Sequence, residues 1–193
     1  SGRPKFSFQE TLQCPPNLQT PCKRCNLNQR YRNKHINLQK LASRICSEVD
    51  YLKSVTMKIE EGWKRFEQTA DEFYIDSVAL NLHGFYSGLE RIFELIASVV
   101  DGNKPESKNW HKELLNLMAS EVPTIRPAVI SEAIYSRLND YRGFRHIVRN
   151  VYTFKFDPEK VKKLSTEITE LFSKVSAELL AFADFLDKSS RDS

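Results

Sequence analysis

Side chains suited to chemistry are concentrated around position 145. The group comprises Arg142, Arg145, His146, Arg149, Asn150 and Tyr152. Guanidinium groups hold phosphate oxygens through paired hydrogen bonds, and an imidazole can transfer a proton near neutral pH. On a helix that turns about 100° per residue, Arg145, Arg149 and Tyr152 fall on one side. The spacing is compatible with a phosphate-binding surface and, more simply, with an ordinary solvated helix face.

The apolar residues of the same segment occupy the other side of this helix. Phe144, Ile147, Val148 and Val151 lie within an arc of about 100°. Apolar arcs of this width normally face a protein core. We therefore expect this arc to be buried and the polar group, Arg145 included, to form an exposed surface.

Helices must position these residues, because apolar side chains recur at steps of three and four along most of the chain. We predict helices at 37–66, 71–100, 110–119, 128–152 and 158–188. The clearest start signal is Asp157 before Pro158, and Asp101-Gly102 is a stop signal. No segment of useful length alternates in the manner of a β-strand. The predicted fold is all-α, an up-and-down bundle of four main helices plus one short helix.

The first 34 residues differ in composition from the remainder. They hold seven basic side chains and one acid, and they lack apolar periodicity. Such a segment buries too little apolar surface to offset its ordering entropy. We predict a disordered basic tail at 1–34, a helical domain at 35–189 and a disordered end at 190–193.

The net charge of +4 is concentrated in that tail, so the predicted helical domain is mildly acidic. Any contact with nucleic acid must then come from a local basic patch. The chain has no run of about 18 apolar residues and no signal-peptide organisation at its start. We expect a cytoplasmic protein without membrane association.

Three cysteines in the tail provide a weak metal signal. Cys22 and Cys25 form one Cys-x-x-Cys pair, Cys14 precedes it, and a second pair is missing. Cys46 or His35 would complete a zinc site only if the tail folded back onto the first helix. We expect reduced thiols, no metal and no cofactor.

Two glycines and two histidines have alternative interpretations. Gly84 and Gly88 share a helix face, which allows close approach of a helix from a second copy or from the same bundle. The sequence favours neither. His83, beside these glycines, and His111, beside Trp110, are interpreted as hydrogen-bonded packing residues.

The run from Tyr141 to Tyr152 resembles the signature of HepT-like proteins of the HEPN superfamily. In that signature an arginine, a polar residue, three further residues, a histidine, any residue and a tyrosine follow in order. Segments 81–90 and 110–115 also resemble this family, so the similarity covers roughly 37–186. Arg145 matches the arginine, His146 the polar position and Tyr152 the tyrosine. Asn150 stands where the family has histidine.

The resemblance implies the toxin component of a toxin–antitoxin pair, a homodimer that cleaves RNA without a metal. In the family, the arginine steadies the scissile phosphate and the histidine assists attack by the ribose hydroxyl. The implied catalytic residues are Arg145, His146, Asn150 and Tyr152, and the implied RNA phosphate-binding residues are Arg142, Arg145 and Arg149. The implied partner is a minimal nucleotidyltransferase antitoxin, which in some members modifies the motif tyrosine, here Tyr152.

Asn150 leaves two functions open. An amide cannot exchange a proton at physiological pH, and loss of a general acid or base commonly removes about 100-fold to 10,000-fold of rate. The alternative is therefore a catalytically impaired module that binds RNA or the nucleotidyltransferase without cleavage. His146 lies one turn earlier, about 6 Å away along the helix axis, and is the candidate that would replace the missing histidine.

Overall fold

Five α-helices make up most of the described chain. The computed structural model describes residues 23–150 and 156–191, with side chains for 35–149 and 156–191. The helices are α1 (Lys23–Thr69), α2 (Glu72–Ile96), α3 (Trp110–Ala119), α4 (Glu132–Asn150) and α5 (Pro158–Arg191). The all-α class is confirmed. The up-and-down arrangement of a four-helix bundle stays a prediction.

Helix α1 begins earlier than its apolar pattern indicates. It starts at Lys23, inside the predicted tail of residues 1–34, and only its backbone is described as far as residue 34. Extension of an existing helix costs little, and five of the twelve residues from 23 to 34 are lysine or arginine, which are good helix formers. Residues 1–22 lie outside the described part. Helix α5 likewise continues to Arg191, past the predicted boundary at 189. The domain division itself stays a prediction.

Both ends of α2 agree with the prediction from the sequence. Ala70 has a left-handed φ of 54°, which ends α1. The Asp71 Oδ1 atom then accepts a hydrogen bond from the Phe73 amide at 2.9 Å and caps α2. Helix α2 continues into one π-helical turn, Ala97–Asp101, and Gly102 with a φ of 68° ends it. The predicted start near Asp71 and the predicted stop at Asp101-Gly102 are confirmed.

Helices α1 and α2 approach closely at two points, each opposite a glycine. A Cβ atom on Gly88 would lie 2.7 Å from Leu52 Cδ2, and one on Gly62 would lie 2.8 Å from Val78 Cγ2. Gly88 therefore serves packing within the chain. A Cβ atom on Gly84 would meet nothing within 4 Å, so the dimer alternative stays open at Gly84 alone.

A buried arginine organises the segment between α3 and α4. Arg126 is fully buried, and its Nε and Nη2 atoms donate to the two oxygens of Asp101 at 2.7 and 2.9 Å. Nη1 donates to the carbonyls of Ser120 and Pro127, and Nη2 donates to that of Leu117. All the donor nitrogens of this guanidinium are thus engaged. Arg126 therefore holds the α3–α4 connection against Asp101, which is the last residue of the π-helical turn that follows α2.

Helix α4 begins at Glu132 rather than at the predicted Ala128. The amides of Val129 and Ile130 donate to the carbonyl of Met118 at 2.9 and 3.2 Å, at the end of α3. These two buried residues therefore belong to the α3–α4 connection, which delays the helix by one turn. The predicted end of α4 at Tyr152 lies outside the described residues.

Helix α5 begins as its start signal predicts. The Asp157 Oδ1 atom accepts a hydrogen bond from the Glu159 amide at 3.1 Å, and Pro158 is the first helical residue. The hydroxyl of buried Tyr141 on α4 donates to the carbonyl of Leu164 on α5 at 2.8 Å. This bond fixes the contact between the two helices.

The core consists of apolar stripes from all five helices. Helix α1 packs along α5 and α2, and α2 also contacts α3 and α4. Fully buried members include Leu52, Ile59, Phe85, Phe93, Leu114, Leu138 and Leu171. Burial of each such side chain stabilises the folded state by roughly 1.5–3 kcal/mol. The packing brings α2, α3 and α4 side by side. Within the described ranges, no helix has the length and apolar character needed to cross a membrane.

Candidate functional site

A carboxylate lies within the apolar stripe of α2. Glu90 is one turn from Tyr86 and nearly one turn from Phe93, and both aromatic residues are buried. The Glu90 side chain is itself only 4% exposed. A buried carboxylate is costly unless cations or hydrogen-bond donors surround it. The partners of Glu90 therefore define a site.

Arg145 on α4 is the cation that faces this carboxylate. Its Nη2 atom lies 3.1 Å from Glu90 Oε2, and its Nε atom donates to Ser87 Oγ at 3.2 Å. Its Nη1 atom lies 3.3 Å from His111 Nε2 on α3. Three nitrogens of one guanidinium thus contact three residues, which fixes the plane and the position of the group.

His111 completes the cluster from α3. Its Nδ1 atom lies 2.5 Å from Glu90 Oε1. A guanidinium nitrogen can only donate, so His111 Nε2 must accept from Arg145 and the ring proton must be on Nδ1. The bond to Glu90 is therefore donated by a neutral imidazole. The ring also stacks on Trp110, with centroids 3.5 Å apart.

The surroundings change the protonation equilibria of this cluster. Burial raises the pKa of Glu90 to about 7, against the opposing charge of Arg145. Burial, and then the charges of Arg145 and Arg149, lower the pKa of His111 to about 4. The same causes lower the pKa of His83. Several perturbed groups around one arginine are typical of functional sites, although structural ion pairs produce them too.

The remaining predicted residues lie at the edge of this cluster. Arg142 is half-buried, and its Nε and Nη2 atoms donate to Asn139 Oδ1 at 3.0 and 2.9 Å. His146 and Arg149 are exposed. Arg142 and Arg149 are both close enough to act electrostatically on Glu90. The three predicted phosphate-binding arginines therefore share one region of the molecule.

Two predicted site residues cannot be placed by side chain. Asn150 is the last residue of α4, and its side chain is outside the described part. Tyr152 also lies outside the described residues. Their predicted catalytic roles, and the predicted modification of Tyr152, stay predictions.

The expected orientation of α4 requires one correction. Arg145 was expected on the solvent face, yet its side chain is only 15% exposed because it turns towards Glu90. Phe144 is buried as expected, whereas Ile147 and Val148 are only half-buried. The interior on this side of α4 therefore contains a buried ion pair as well as apolar side chains.

The sequence interpretation missed Glu90 and Ser87 and assigned His111 to packing. One signal for Glu90 was available, because it interrupts the stripe of Tyr86 and Phe93 at helical spacing, and a lone acid there requires a cation. Ser87 and His111 lie in the segments 81–90 and 110–115 that resemble the family, but the resemblance did not indicate a role for either residue. Their roles depend on contacts between helices.

The described residues contain no group of three or more histidine, cysteine, aspartate or glutamate side chains that would hold a metal ion. Cys14 and Cys22 lie outside the described part, and Cys25 is described only in its backbone. Cys46 is an exposed free thiol. The zinc alternative for the tail is therefore not tested by these contacts.

Comparison with known proteins identifies the family. The model of a family described as HepT-like protein matches residues 77–186, which include Glu90, His111 and Arg145. No curated protein gave a significant match. No solved structure gave one either. The family match covers more than half of the chain and contains the whole cluster. The chain therefore belongs to the HepT-like proteins of the HEPN superfamily.

Proposed function

We propose that this protein is a HepT-like toxin that cleaves RNA without a metal ion. The observation that carries the proposal is the fixed guanidinium of Arg145, which Glu90, Ser87 and His111 hold in place. An arginine held in this way stabilises a phosphate that gains charge during reaction without first having to reorganise. His111 and His83 place imidazoles in the same region, so proton transfer does not depend on residue 150 alone.

The surface around this guanidinium supports binding of the RNA backbone. Arg142 and Arg149 add two positive charges beside Arg145, against the two carboxyl groups of Glu90 and Glu94. Arg149 is exposed, and we expect it to contact a phosphate next to the scissile one. Phosphate contacts of this kind dominate RNA affinity and do not depend on sequence.

The proposal includes two partners. A homodimer related by a two-fold axis would bring two copies of the α4 cluster to one cleft. A minimal nucleotidyltransferase antitoxin would neutralise the toxin by binding it or by modifying Tyr152. Membership of the HepT-like family supports both proposals, and the modified residue would lie two positions beyond the end of α4.

RNA cleavage by the purified protein tests this function. Labelled single-stranded RNA and total cellular RNA are incubated with the wild type and with Arg145→Ala in the presence of EDTA. We expect the wild type to cleave and the variant to lose at least about 100-fold of rate, as for loss of a transition-state charge contact. Cleavage that EDTA abolishes, or that survives Arg145→Ala, would contradict the proposal. Circular dichroism establishes that the variant is folded.

A second candidate function is RNA binding without cleavage. The observation that favours it is the close pairing of Arg145 with buried Glu90, which cancels much of the charge that a phosphate would meet. Asn150 at the histidine position favours it as well. In this case the wild type retains labelled RNA in a gel-shift assay, and the RNA remains intact after prolonged incubation.

A further inference from the structure

Resting on the proposed ribonuclease function, we propose that His111 is the catalytic base that accepts the proton of the attacking ribose hydroxyl, with Glu90 as its positioning residue. The motif position that normally provides a histidine holds Asn150 in this chain. His111 comes from a different helix, α3, and contacts the motif arginine directly. The proposal thus places the missing imidazole beside Arg145 rather than on α4.

The geometry of Glu90 and His111 is that of a carboxylate–imidazole pair. Glu90 Oε1 accepts the Nδ1 proton of His111 at 2.5 Å, so the lone pair for proton transfer is on Nε2. Carboxylates that hold a histidine in this tautomer also stabilise the imidazolium that forms after proton transfer. Trp110 stacks on the ring and restricts its rotation. Tautomer and ring plane are therefore set before substrate arrives.

The Nε2 atom is adjacent to the place where Arg145 would hold a phosphate. It lies 3.3 Å from Arg145 Nη1, the longest of the contacts between Arg145 and its three partners. Nη1 carries two N–H bonds, so the second one can donate to a phosphate oxygen while Nε and Nη2 remain bound to Ser87 and Glu90. The ribose hydroxyl next to that phosphate would then compete with Nη1 for the lone pair of Nε2. The His111 side chain is 22% exposed, which permits this approach.

The reaction balances without a co-reactant other than water. The ribose 2′ oxygen forms a bond to phosphorus while its proton moves to His111 Nε2, and the bond from phosphorus to the 5′ oxygen breaks. The leaving oxygen takes a proton from water. The products are a cyclic phosphate on one fragment and a free 5′-hydroxyl on the other. The His111 proton then returns to solvent.

Charges on every neighbouring helix act on His111. Glu90, Glu94 and His83 belong to α2, and Arg142, Arg145 and Arg149 belong to α4. Lys112 and Glu113 follow His111 on α3 itself. In the free protein, burial and the arginines hold the pKa of His111 at about 4. A bound phosphodiester brings negative charge to these arginines, which raises the pKa of His111 towards the range that suits a base.

The test compares matched histidine variants in the full-length chain. His111→Asn keeps an amide donor near Glu90 but cannot accept a proton, and His146→Asn removes the competing imidazole on α4. His35→Asn is the control, because His35 contacts the carbonyl of Ser190 rather than this cluster. Initial rates of cleavage are measured on labelled single-stranded RNA, and folding is checked by circular dichroism and thermal melting.

We expect His111→Asn to lower the rate by about 100-fold to 10,000-fold, with His35→Asn unchanged. Imidazole added to His111→Ala should restore part of the activity, which a merely structural role would not allow. The wild-type cleavage rate should also fall at acidic pH as His111 takes up a proton, and the rate of His111→Asn should not show this acidic decrease.

If the wild type cleaves but His111→Asn does so at the same rate, or if His146→Asn alone abolishes cleavage, the assignment of His111 is wrong and the ribonuclease function stands. A wild type that does not cleave overturns both.

Discussion

Glu90 on α2 and Arg145 on α4 form an ion pair with a separation of 3.1 Å, and the two side chains are only 4% and 15% exposed. The two residues come from helices that are distant in sequence, so the pair depends on correct packing of α2 against α4. It also determines which guanidinium nitrogens remain available to a ligand. Stability and function are therefore linked at this contact.

Removal of one partner should be more harmful than removal of both. We expect Glu90→Leu to lower the free energy of unfolding by about 3–5 kcal/mol, because Arg145 is left buried without a counter-charge. The double variant Glu90→Leu, Arg145→Met should recover most of this loss. Urea denaturation at about pH 8.5, above the pKa of Glu90, measures both.

The control for this pair lies one turn further along α2. Glu94 pairs with Lys104 at a much more exposed position, so Glu94→Gln should cost at most about 1 kcal/mol. Equal losses for Glu90→Leu and the double variant would show that the charge of Arg145 tolerates burial without its partner.

The cluster should impose two opposing pH dependences on stability. The pKa of His111 is about 4 in the fold against an ordinary 6.5, so stability falls as pH drops through this window. The pKa of Glu90 is about 7 in the fold against an ordinary 4.5, so stability falls as pH rises from 4.5 to about 7. The two effects oppose each other where the windows overlap.

Single variants should reveal each pH dependence alone. Relative to wild type, His111→Asn should lose stability as pH rises from about 4 to 6.5, and Glu90→Gln should lose it as pH falls from about 7 to 4.5. Urea midpoints at half-unit pH steps measure this. If the urea midpoints of both variants and of the wild type change with pH in the same way, the prediction is wrong.

Arg126 should be among the least replaceable residues of the fold. Arg126→Met leaves Asp101 and three backbone carbonyls without their buried donor, and we expect a loss of about 3–5 kcal/mol. Arg65→Met is the control, since its pair with Glu61 is exposed and should contribute at most about 1 kcal/mol. Thermal melting distinguishes the two, and similar melting temperatures would contradict the prediction.

The two glycines of α2 should respond in opposite directions to alanine. Gly88→Ala places a methyl group 2.7 Å from Leu52 Cδ2, and we expect overpacking to cost about 1–3 kcal/mol, partly offset by better helix propensity. Gly84→Ala meets open space and should stabilise the monomer fold by up to about 1 kcal/mol.

Light scattering after size exclusion extends the Gly84 test to the proposed dimer. If Gly84→Ala stabilises the fold and also weakens dimerisation, this glycine belongs to the contact between copies. Unchanged dimerisation assigns the dimer to another surface.

Phosphate contacts should be visible in the salt dependence of RNA binding. Each phosphate contact to single-stranded RNA contributes about 0.7 to the slope of log K against log salt. We expect Arg149→Ala to reduce the slope by about that amount. Lys174→Ala is the control, because Lys174 pairs with Glu170 on α5. Fluorescence anisotropy at several salt concentrations measures the slopes, and identical slopes for Arg149→Ala and the wild type would exclude the contact.

Local signals in the sequence were sufficient for most helix ends. Asp71, Gly102 and Asp157-Pro158 act within a few residues of themselves, so the ends of α2 and the start of α5 could be predicted. The start of α4 could not, because the carbonyl of Met118 engages the amides of Val129 and Ile130. That bond depends on how α3 is placed and has no local pattern.

The sequence alone determined the all-helical class, the family and the position of the motif around Arg145. These depend on periodicity and on residues that are close together in the chain. Only the tertiary structure decided which way Arg145 points and which groups surround it. Glu90 and His111 come from α2 and α3, and the burial that changes their pKa values exists only when three helices pack together. A carboxylate and an imidazole that look unrelated in sequence therefore become partners of the motif arginine through packing.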